Sequence, residues 1–466
     1  MKELLIHLDS RLKMPLYEQI SRFIKGEIQS GKISAGERLP SARALAAQLA
    51  VSRSTVDLAY GQLLSEGYLD SVPCRGYFAG NVKELYRLGD LKKIQKQERQ
   101  EERPAFQYDF ALNGIDEESF PMNLWRKISR EVLLEENSGL FQLGEPEGEQ
   151  SLREVIADYL HHARGVQCRP EQIVMGAGND YLLMLLSVLL GQKTVIAMEN
   201  PTYRSAFCCF RNLGHAIKAV AADESGMDVE KLDESGANAA YVMPSHQFPM
   251  GMVMPISRRL ELLRWAGQGP GRYLIEDDYD SEFRYRGKPI PALQGYDTQG
   301  CVIYLGTFSK AIAPGIRVSY MVLPESLLSV YRQKGAAFSA TISRIDQRML
   351  EIFLREGHFE RHLNRMRSVY RAKHDLLIRC LREMSDILEL YGENAGLHVR
   401  VRFKNGMTEE EALRRAAGEK IRVYGLGEYV IEQDASVDRH TVLLGYGPLK
   451  SEEIQAACRK LKKAWM

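Results

Sequence analysis

The sequence predicts an α/β chain with a small, mostly helical module at its N-terminal end. Three observations carry that prediction. From Phe106 onward, short β-type apolar runs alternate with amphipathic helical stretches, the texture of a sheet covered by helices. Residues 1–80 instead break into short helices separated by capping residues. Between the two lies Lys92-Lys93-Ile94-Gln95-Lys96-Gln97-Glu98-Arg99-Gln100-Glu101-Glu102-Arg103-Pro104, a charged run with one apolar residue. Such a run buries no face, so 81–105 reads as a linker between a module at 1–80 and a large domain at 106–466. A chain of 466 residues is also too long for one ordinary core.

Within the first module, Pro15 to Gln29 carries apolar residues at Leu16, Ile20, Phe23, Ile24 and Ile28, close to a 3.6-residue period. Leu39-Pro40-Ser41 breaks the chain and caps a second helix running to Leu49. Val51-Ser52 repeats the device and opens a third helix at Arg53-Ser54-Thr55-Val56. Two short helices joined by a tight turn have helix-turn-helix proportions, with Arg53, Ser54 and Thr55 at the end that enters a major groove. There an arginine can hydrogen-bond guanine, while hydroxyls and free N–H groups take phosphate. Gly67-Tyr68-Leu69-Asp70 and Gly76-Tyr77-Phe78-Ala79 flank Pro73-Cys74-Arg75, the pattern of a β-hairpin wing with a cation at its tip.

Bulk charge gives this module little help. The chain has a net charge of +1, and residues 1–80 hold ten Lys/Arg against eight Asp/Glu, so any DNA contact rests on a few placed cations. Leu39-Pro40-Ser41-Ala42-Arg43-Ala44-Leu45-Ala46, Val51-Ser52-Arg53-Ser54-Thr55-Val56, Ala59-Tyr60 and Glu66-Gly67-Tyr68-Leu69 resemble the winged helix-turn-helix of GntR-family bacterial regulators. The resemblance covers about residues 10–80. It implies DNA-contact roles for Arg43, Arg53, Thr55, Arg75 and Gly76.

In the large domain, five apolar runs each end in distinctive residues. Val174-Met175 leads into Gly176-Ala177-Gly178-Asn179-Asp180 and an apolar helix, a glycine loop feeding a helix N-terminus suited to phosphate. Val195 to Met198 ends in Glu199-Asn200-Pro201-Thr202-Tyr203. Tyr241-Val242-Met243 ends in Pro244-Ser245-His246-Gln247-Phe248-Pro249-Met250-Gly251, where His246 by itself reads as an ordinary loop histidine. Tyr273-Leu274-Ile275 ends in Glu276-Asp277-Asp278-Tyr279-Asp280; strand neighbours point to opposite faces, so these carboxylates are not expected to converge on a metal. Val302 to Leu305 ends in Gly306-Thr307-Phe308-Ser309-Lys310, with Arg317 one loop further on. A lysine just past a strand end is placed to form a Schiff base with an aldehyde cofactor, and the arginine to hold its phosphate. In open α/β sheets, ligands bind at the C-terminal edge where all five runs end.

These segments, with Pro146-Glu147-Gly148 before Leu152-Arg153 and Pro314-Gly315-Ile316-Arg317, resemble the class I/II aminotransferases, pyridoxal-phosphate enzymes of fold type I. The resemblance runs from about residue 108 to the C-terminus and implies a mostly parallel sheet. It also implies roles: Lys310 carrying pyridoxal 5′-phosphate as the internal aldimine, Asp277 at the pyridine nitrogen, Tyr279 at the phenolic oxygen and Tyr203 stacked on the ring. Ala177, Gly178, Asn179, Thr307 and Arg317 are implied at the phosphate. The chain departs from the family pattern in the segment 246–251, where the family usually has an asparagine touching the phenolic oxygen and His246-Gln247-Phe248 here precedes the proline. It departs again at Val442-Leu443-Leu444-Gly445-Tyr446, which lacks the arginine that clamps a substrate carboxylate. Arg422 and Arg439 are the stand-ins to check, Glu428 is an anion where a cation would serve, and Leu143 replaces a tyrosine often lent to the partner's phosphate.

Joined through the linker, the two halves resemble the MocR/GabR subfamily of GntR-type regulators. The resemblance implies a homodimer that binds double-stranded operator DNA and senses a small amine, an amino acid or pyridoxal phosphate at Lys310, governing genes for amino compounds or vitamin B6. The alternative is a working aminotransferase with an accessory DNA-binding module. Seven scattered cysteines without a CxxC pair, no expected metal site, an N-terminus unlike a signal peptide and no apolar run long enough for a bilayer point to a reduced, cytoplasmic protein.

Overall fold

In the computed structural model two units separate, Met1–Arg103 and Pro104–Met466. The described residues are 6–9, 11–12, 14–73, 75–81, 106–134, 138–285, 290–335, 337–392, 395–433 and 438–466. The expected linker falls outside them except for residue 81, and so does Cys74 at the wing tip.

The first unit is built as its caps predict. Helix α1 (Leu16–Gln29) starts after Pro15, α2 (Ala42–Leu49) is capped by Ser41 and α3 (Arg53–Ser65) by Ser52. Each serine oxygen accepts the N–H three residues ahead, satisfying one first-turn donor. Ile20, Ile24, Leu45, Val56, Ala59, Tyr60 and Leu63 close one core, and the buried Tyr60 hydroxyl donates to the Pro40 carbonyl at 2.9 Å. Strands β1 (Leu69–Val72) and β2 (Gly76–Ala79) form the antiparallel wing.

The second unit begins with β3 (Tyr108–Asp109) and centres on an eight-stranded sheet: β4 (Ile173–Gly176), β5 (Val195–Asn200), β6 (Ala216–Asp223), β7 (Gly226–Met227), β8 (Ala239–Val242), β9 (Tyr273–Asp278), β10 (Val302–Thr307) and β11 (Ser319–Val322). Their spatial order is β4-β11-β10-β9-β8-β5-β6-β7. Strands β6, β5, β8, β9 and β10 pair in parallel, whereas β11 runs antiparallel to both β10 and β4. All five apolar runs are therefore strands of one sheet. Their near-continuous apolar character follows from burial on both faces. Helices α4 (Met122–Leu134), α5 (Gln150–Arg164) and α6 (Asn179–Leu190) precede or flank the first strands.

Toward the C-terminus, β12 (Leu388–Tyr391), β13 (His398–Phe403), β15 (Tyr424–Gly425) and β16 (Thr441–Gly445) make a second, antiparallel sheet. The short β14 (Ile421–Arg422) pairs with β3, tying the start of the unit to its end. Val399, Val401, Val442 and Leu444 face one core, while His398 and Leu443 lie on the opposite face. Among the described residues no helix is long and apolar enough to cross a membrane.

Candidate functional site

At the C-terminal edge of the parallel strands a cavity of about 220 Å³ opens. Its lining includes Asn179, Tyr203, Asp277, Tyr279, Thr307, Lys310 and Arg317, seven residues expected from sequence to work together. Lys310 follows β10, and its amine donates to the Leu112 carbonyl at 2.7 Å. Burial pushes the amine down to about 8, while the nearby Asp280 carboxylate pulls the other way. A lysine in that range spends an appreciable fraction of its time as a neutral nucleophile near neutral pH.

Strand β9 distributes its carboxylates as a two-residue period requires. Glu276 accepts the backbone N–H groups of Leu293 and Gln294. Asp277 points the other way and accepts from the Asn179 amide at 2.9 Å and from the Tyr241 hydroxyl. Asp278 returns to the first side, against Arg164 at 2.8 Å and the Tyr304 hydroxyl at 2.6 Å. Burial raises Asp277 to about 6, with the Tyr241 and Asn179 hydrogen bonds opposing. Only Asp277 and, beyond the strand, Asp280 reach the cavity from this run of four.

The anion-binding end differs in detail from the expectation. Arg317, in left-handed backbone at φ 50°, lays its guanidinium against Gly178, where any Cβ would collide with it. It lies 3.1 Å from the Asp180 carboxylate and 3.5 Å from the Ala177 carbonyl. Gly178 precedes α6 and supplies no side-chain cap, so first-turn N–H groups of that helix are left for another acceptor. The Asn179 side chain goes to Asp277, the Ala177 N–H donates to the Thr341 hydroxyl at 3.0 Å, and the Thr307 hydroxyl contacts those of Ser309 and Ser319.

Sequence reasoning passed over three buried groups beside Lys310. His246 and Asp280 are each 2% exposed and paired at 2.9 Å, and His398 lines the cavity from β13. Burial, then His246, holds His398 down at about 3, so it stays neutral. Phe248, in the segment where the family's asparagine is missing, meets Tyr203, Tyr279 and His398 edge-on. Arg422, exposed and 3.7 Å from Asp109, and the exposed Arg439 and Glu428 lie outside the cavity lining.

On the first unit, Arg43, Arg53 and Arg75 are exposed. Arg53 lies 3.4 Å from Asp57 one turn along α3, and the Ser52, Ser54 and Thr55 hydroxyls cluster at 2.7–2.9 Å. Gly76, at φ 104°, starts the second wing strand beside Arg38.

Residues 16–78 match the model of the gntR family of bacterial regulatory proteins, and residues 109–430 that of aminotransferase class I and II. An uncharacterized HTH-type transcriptional regulator of Bacillus subtilis (strain 168), YhdI, is 40% identical across 98% of this chain and 97% of its own length. The probable rhizopine catabolism regulatory protein MocR of Rhizobium meliloti is 28% identical over 98% and 95%. The chain belongs to the MocR/GabR subfamily of GntR-type regulators. Its second unit is aminotransferase-like. LysN, an α-aminoadipate aminotransferase from Thermus thermophilus solved with N-(5'-phosphopyridoxyl)-L-leucine, superposes with a TM-score of 0.68 at 28% identity, covering 76% of this regulator and 91% of that chain.

Proposed function

We propose that this regulator holds pyridoxal 5′-phosphate at Lys310 and that a small amine, an amino acid or the cofactor itself is the signal read there. The observation that carries the reading is the half-buried Lys310 amine, lowered to about 8, sharing one cavity with Asp277, Tyr203, Tyr279 and Arg317. The donor set suits the group. Unsubstituted backbone at Gly178 lets the Arg317 guanidinium stand at an uncapped helix start, a match for phosphate. Buried Asp277 offers negative charge to a ring nitrogen, and Tyr203 and Phe248 offer aromatic surface. Bound there, the cofactor supplies an electrophilic aldehyde carbon and an electron-withdrawing ring. LysN, a structural neighbour, carries a phosphopyridoxyl amino acid, which supports the assignment.

The chain's own residues then do the sensing. Lys310 presents an amine that gives up its proton more readily than an ordinary lysine, Asp277 holds a proton on the ring nitrogen, and Arg317 with the α6 N-terminus anchors the phosphate. A signal that changes what Lys310 bonds to alters affinity for DNA only if it favours one of two arrangements of the protein. Double-stranded operator DNA is read by the N-terminus of α3 with Arg53 and Thr55, supported by Arg43 and by Arg75 and Gly76 of the wing. Two copies of the chain would engage a two-part operator. Exposed Leu133, Leu134, Phe141 and Leu143 offer apolar surface for that association. Lys310→Ala should abolish the visible absorbance of protein incubated with pyridoxal phosphate; an unchanged spectrum defeats the assignment.

The complete lysine, aspartate, tyrosine and arginine set also favours a second reading, a working aminotransferase. Sustained conversion of an added amino acid to its keto acid at enzyme-like turnover would establish it. A single half-reaction that stops would leave the regulator.

A further inference from the structure

Resting on that cofactor reading, the geometry points to His246, held by Asp280, as a positioning residue that turns the Tyr279 hydroxyl toward the cofactor's phenolic oxygen. It thereby takes over support that the family draws from an asparagine missing from the segment 246–251. Three atoms meet in one buried place: His246 Nδ1 lies 2.9 Å from Asp280 Oδ2 and 3.0 Å from the Tyr279 oxygen. A single ring nitrogen is either a donor or an acceptor. In the tautomer that satisfies the Asp280 contact, Nδ1 carries the proton and donates toward the carboxylate oxygen. Tyr279 therefore cannot donate to that nitrogen. Its oxygen can share the Nδ1 proton as a second acceptor, and its own O–H, which also has the Asp280 carboxylate as a partner, is then the group to exchange that partner for a phenolic oxygen bound in the cavity.

The surroundings lock this arrangement. His246 stands between Tyr279, whose ring is stacked on it at 6.1 Å and 28°, and His398, whose ring centre is 5.1 Å away. Gly396, at φ 79°, abuts the imidazole so closely that any Cβ there would occupy the space of its Cε1. His246 Nε2 and Asp280 Oδ1 are buried and have no hydrogen-bond partner among the described residues. The titratable groups around His246 are Tyr279 and Asp280 from the end of β9, His398 from β13 and Lys310 after β10.

Two variants separate hydrogen bonding from ring packing. His246→Asn keeps a donor at the place of Nδ1 but loses the ring, and His246→Leu loses both. A donor on a phenolate oxygen favours the deprotonated chromophore, so losing it raises the pH midpoint of the visible absorbance of protein loaded with pyridoxal phosphate. His246→Leu and Asp280→Asn should raise that midpoint by about one unit, a tenfold change in proton affinity, with His246→Asn close to wild type. An unmoved midpoint in His246→Leu overturns the proposal, as does a His246→Asn shift equal to that of His246→Leu. A second readout needs no cofactor. In unloaded protein labelled with ¹⁵N-histidine, the His246 Nδ1 proton should give a downfield NMR signal that Asp280→Asn moves or broadens. A signal indifferent to Asp280→Asn overturns the positioning role. If wild-type protein shows no visible band at all, the cofactor reading has failed, and this NMR test still decides the His246–Asp280–Tyr279 arrangement.

Discussion

Two helix N-termini, those of α3 and α6, are built in opposite ways. Helix α3 is capped from within, by Ser52 accepting from the Thr55 N–H at 3.2 Å, and its Arg53 is exposed beside Asp57. Helix α6 has no side-chain cap, only Gly178, with the Arg317 guanidinium pressed against the glycine. The first helix thus completes itself and offers side chains. The second leaves its backbone donors open. The cations nearby differ in the same sense. Water screens the Arg53–Asp57 pair, which is worth little, so Arg53 can exchange that partner for a phosphate or a base edge. Lys310 is half-buried at the cavity wall, and the burial around its amine makes its charge removable near pH 8. A surface that reads a polyanion needs hydrated, permanent charge; a site that captures an aldehyde needs a dehydrated amine.

The sharpest way to break this contrast is Gly178→Ala. The residue sits at φ 89°, which a side chain adopts only under strain, and its Cβ would evict the guanidinium. We expect a loss of ~3 kcal/mol in affinity for pyridoxal phosphate, roughly 100-fold, from strain and displaced charge together. An absorbance or fluorescence titration reads it directly. Affinity within twofold of wild type would remove the α6 N-terminus from the phosphate site.

Next in size, Arg53→Ala should weaken operator binding by ~1–3 kcal/mol if the arginine reads a base edge. Because the side chain is exposed, unfolding stability should stay within about 0.5 kcal/mol of wild type. Undiminished affinity in a gel shift would move the reading role elsewhere on α3 or to the wing.

How much of this was legible beforehand follows the range of the contacts involved. Caps and turns act over three or four residues, so Ser41, Ser52 and the wing could be read directly. The β-runs are local too, and their common edge follows from α/β architecture, which brought Asp277, Tyr279, Thr307 and Lys310 to one place. Asn179 is different: its side chain serves Asp277, 98 positions away, and no spacing encodes that bond. The same holds for Asp278, which meets Arg164 across 114 positions, and for His398, which reaches the cavity from the second sheet. His246 looked like a loop residue because its partner Asp280 stands at the end of another strand. The run 276–280 did hold a usable hint. Alternation sends Glu276 and Asp278 one way and Asp277 the other, leaving Asp280 past the strand end and free to turn toward the cavity.

The buried amine makes a prediction about the unloaded protein. Lys310 is lowered from its ordinary value of 10.5 to about 8, so burying the ammonium costs up to ~3 kcal/mol at pH 7. Lys310→Met removes that cost but leaves the Leu112 carbonyl without its donor, which returns ~1–2 kcal/mol. The net expectation is a stabilisation of ~1–2 kcal/mol at pH 7 by urea denaturation. Between pH 8 and 10.5 the unfolded wild type binds the proton that the folded protein lacks, so wild-type stability gains relative to the variant as pH rises. The variant's advantage should shrink across that window. An advantage constant with pH would mean that the amine is not held dehydrated.

The smallest effect tests the other helix. Ser52→Ala removes the side-chain cap of α3 and should cost ~1 kcal/mol of stability in the N-terminal unit. It also breaks the hydroxyl cluster that holds Ser54 and Thr55. Thr55 would then lose the Ser52 hydroxyl as partner of both its N–H and its own hydroxyl, the N–H keeping only the Ser52 carbonyl at 3.1 Å, which moves the start of α3 toward the uncapped state of α6. If open donors are what an anion site needs, non-specific DNA affinity should be unchanged or slightly higher despite the lower stability. If instead it falls by more than the stability loss can explain, with the protein still folded at the assay temperature, the cap itself orients the groups that meet DNA. Thermal denaturation and a gel shift on the same sample, against operator and scrambled duplexes, separate the two outcomes.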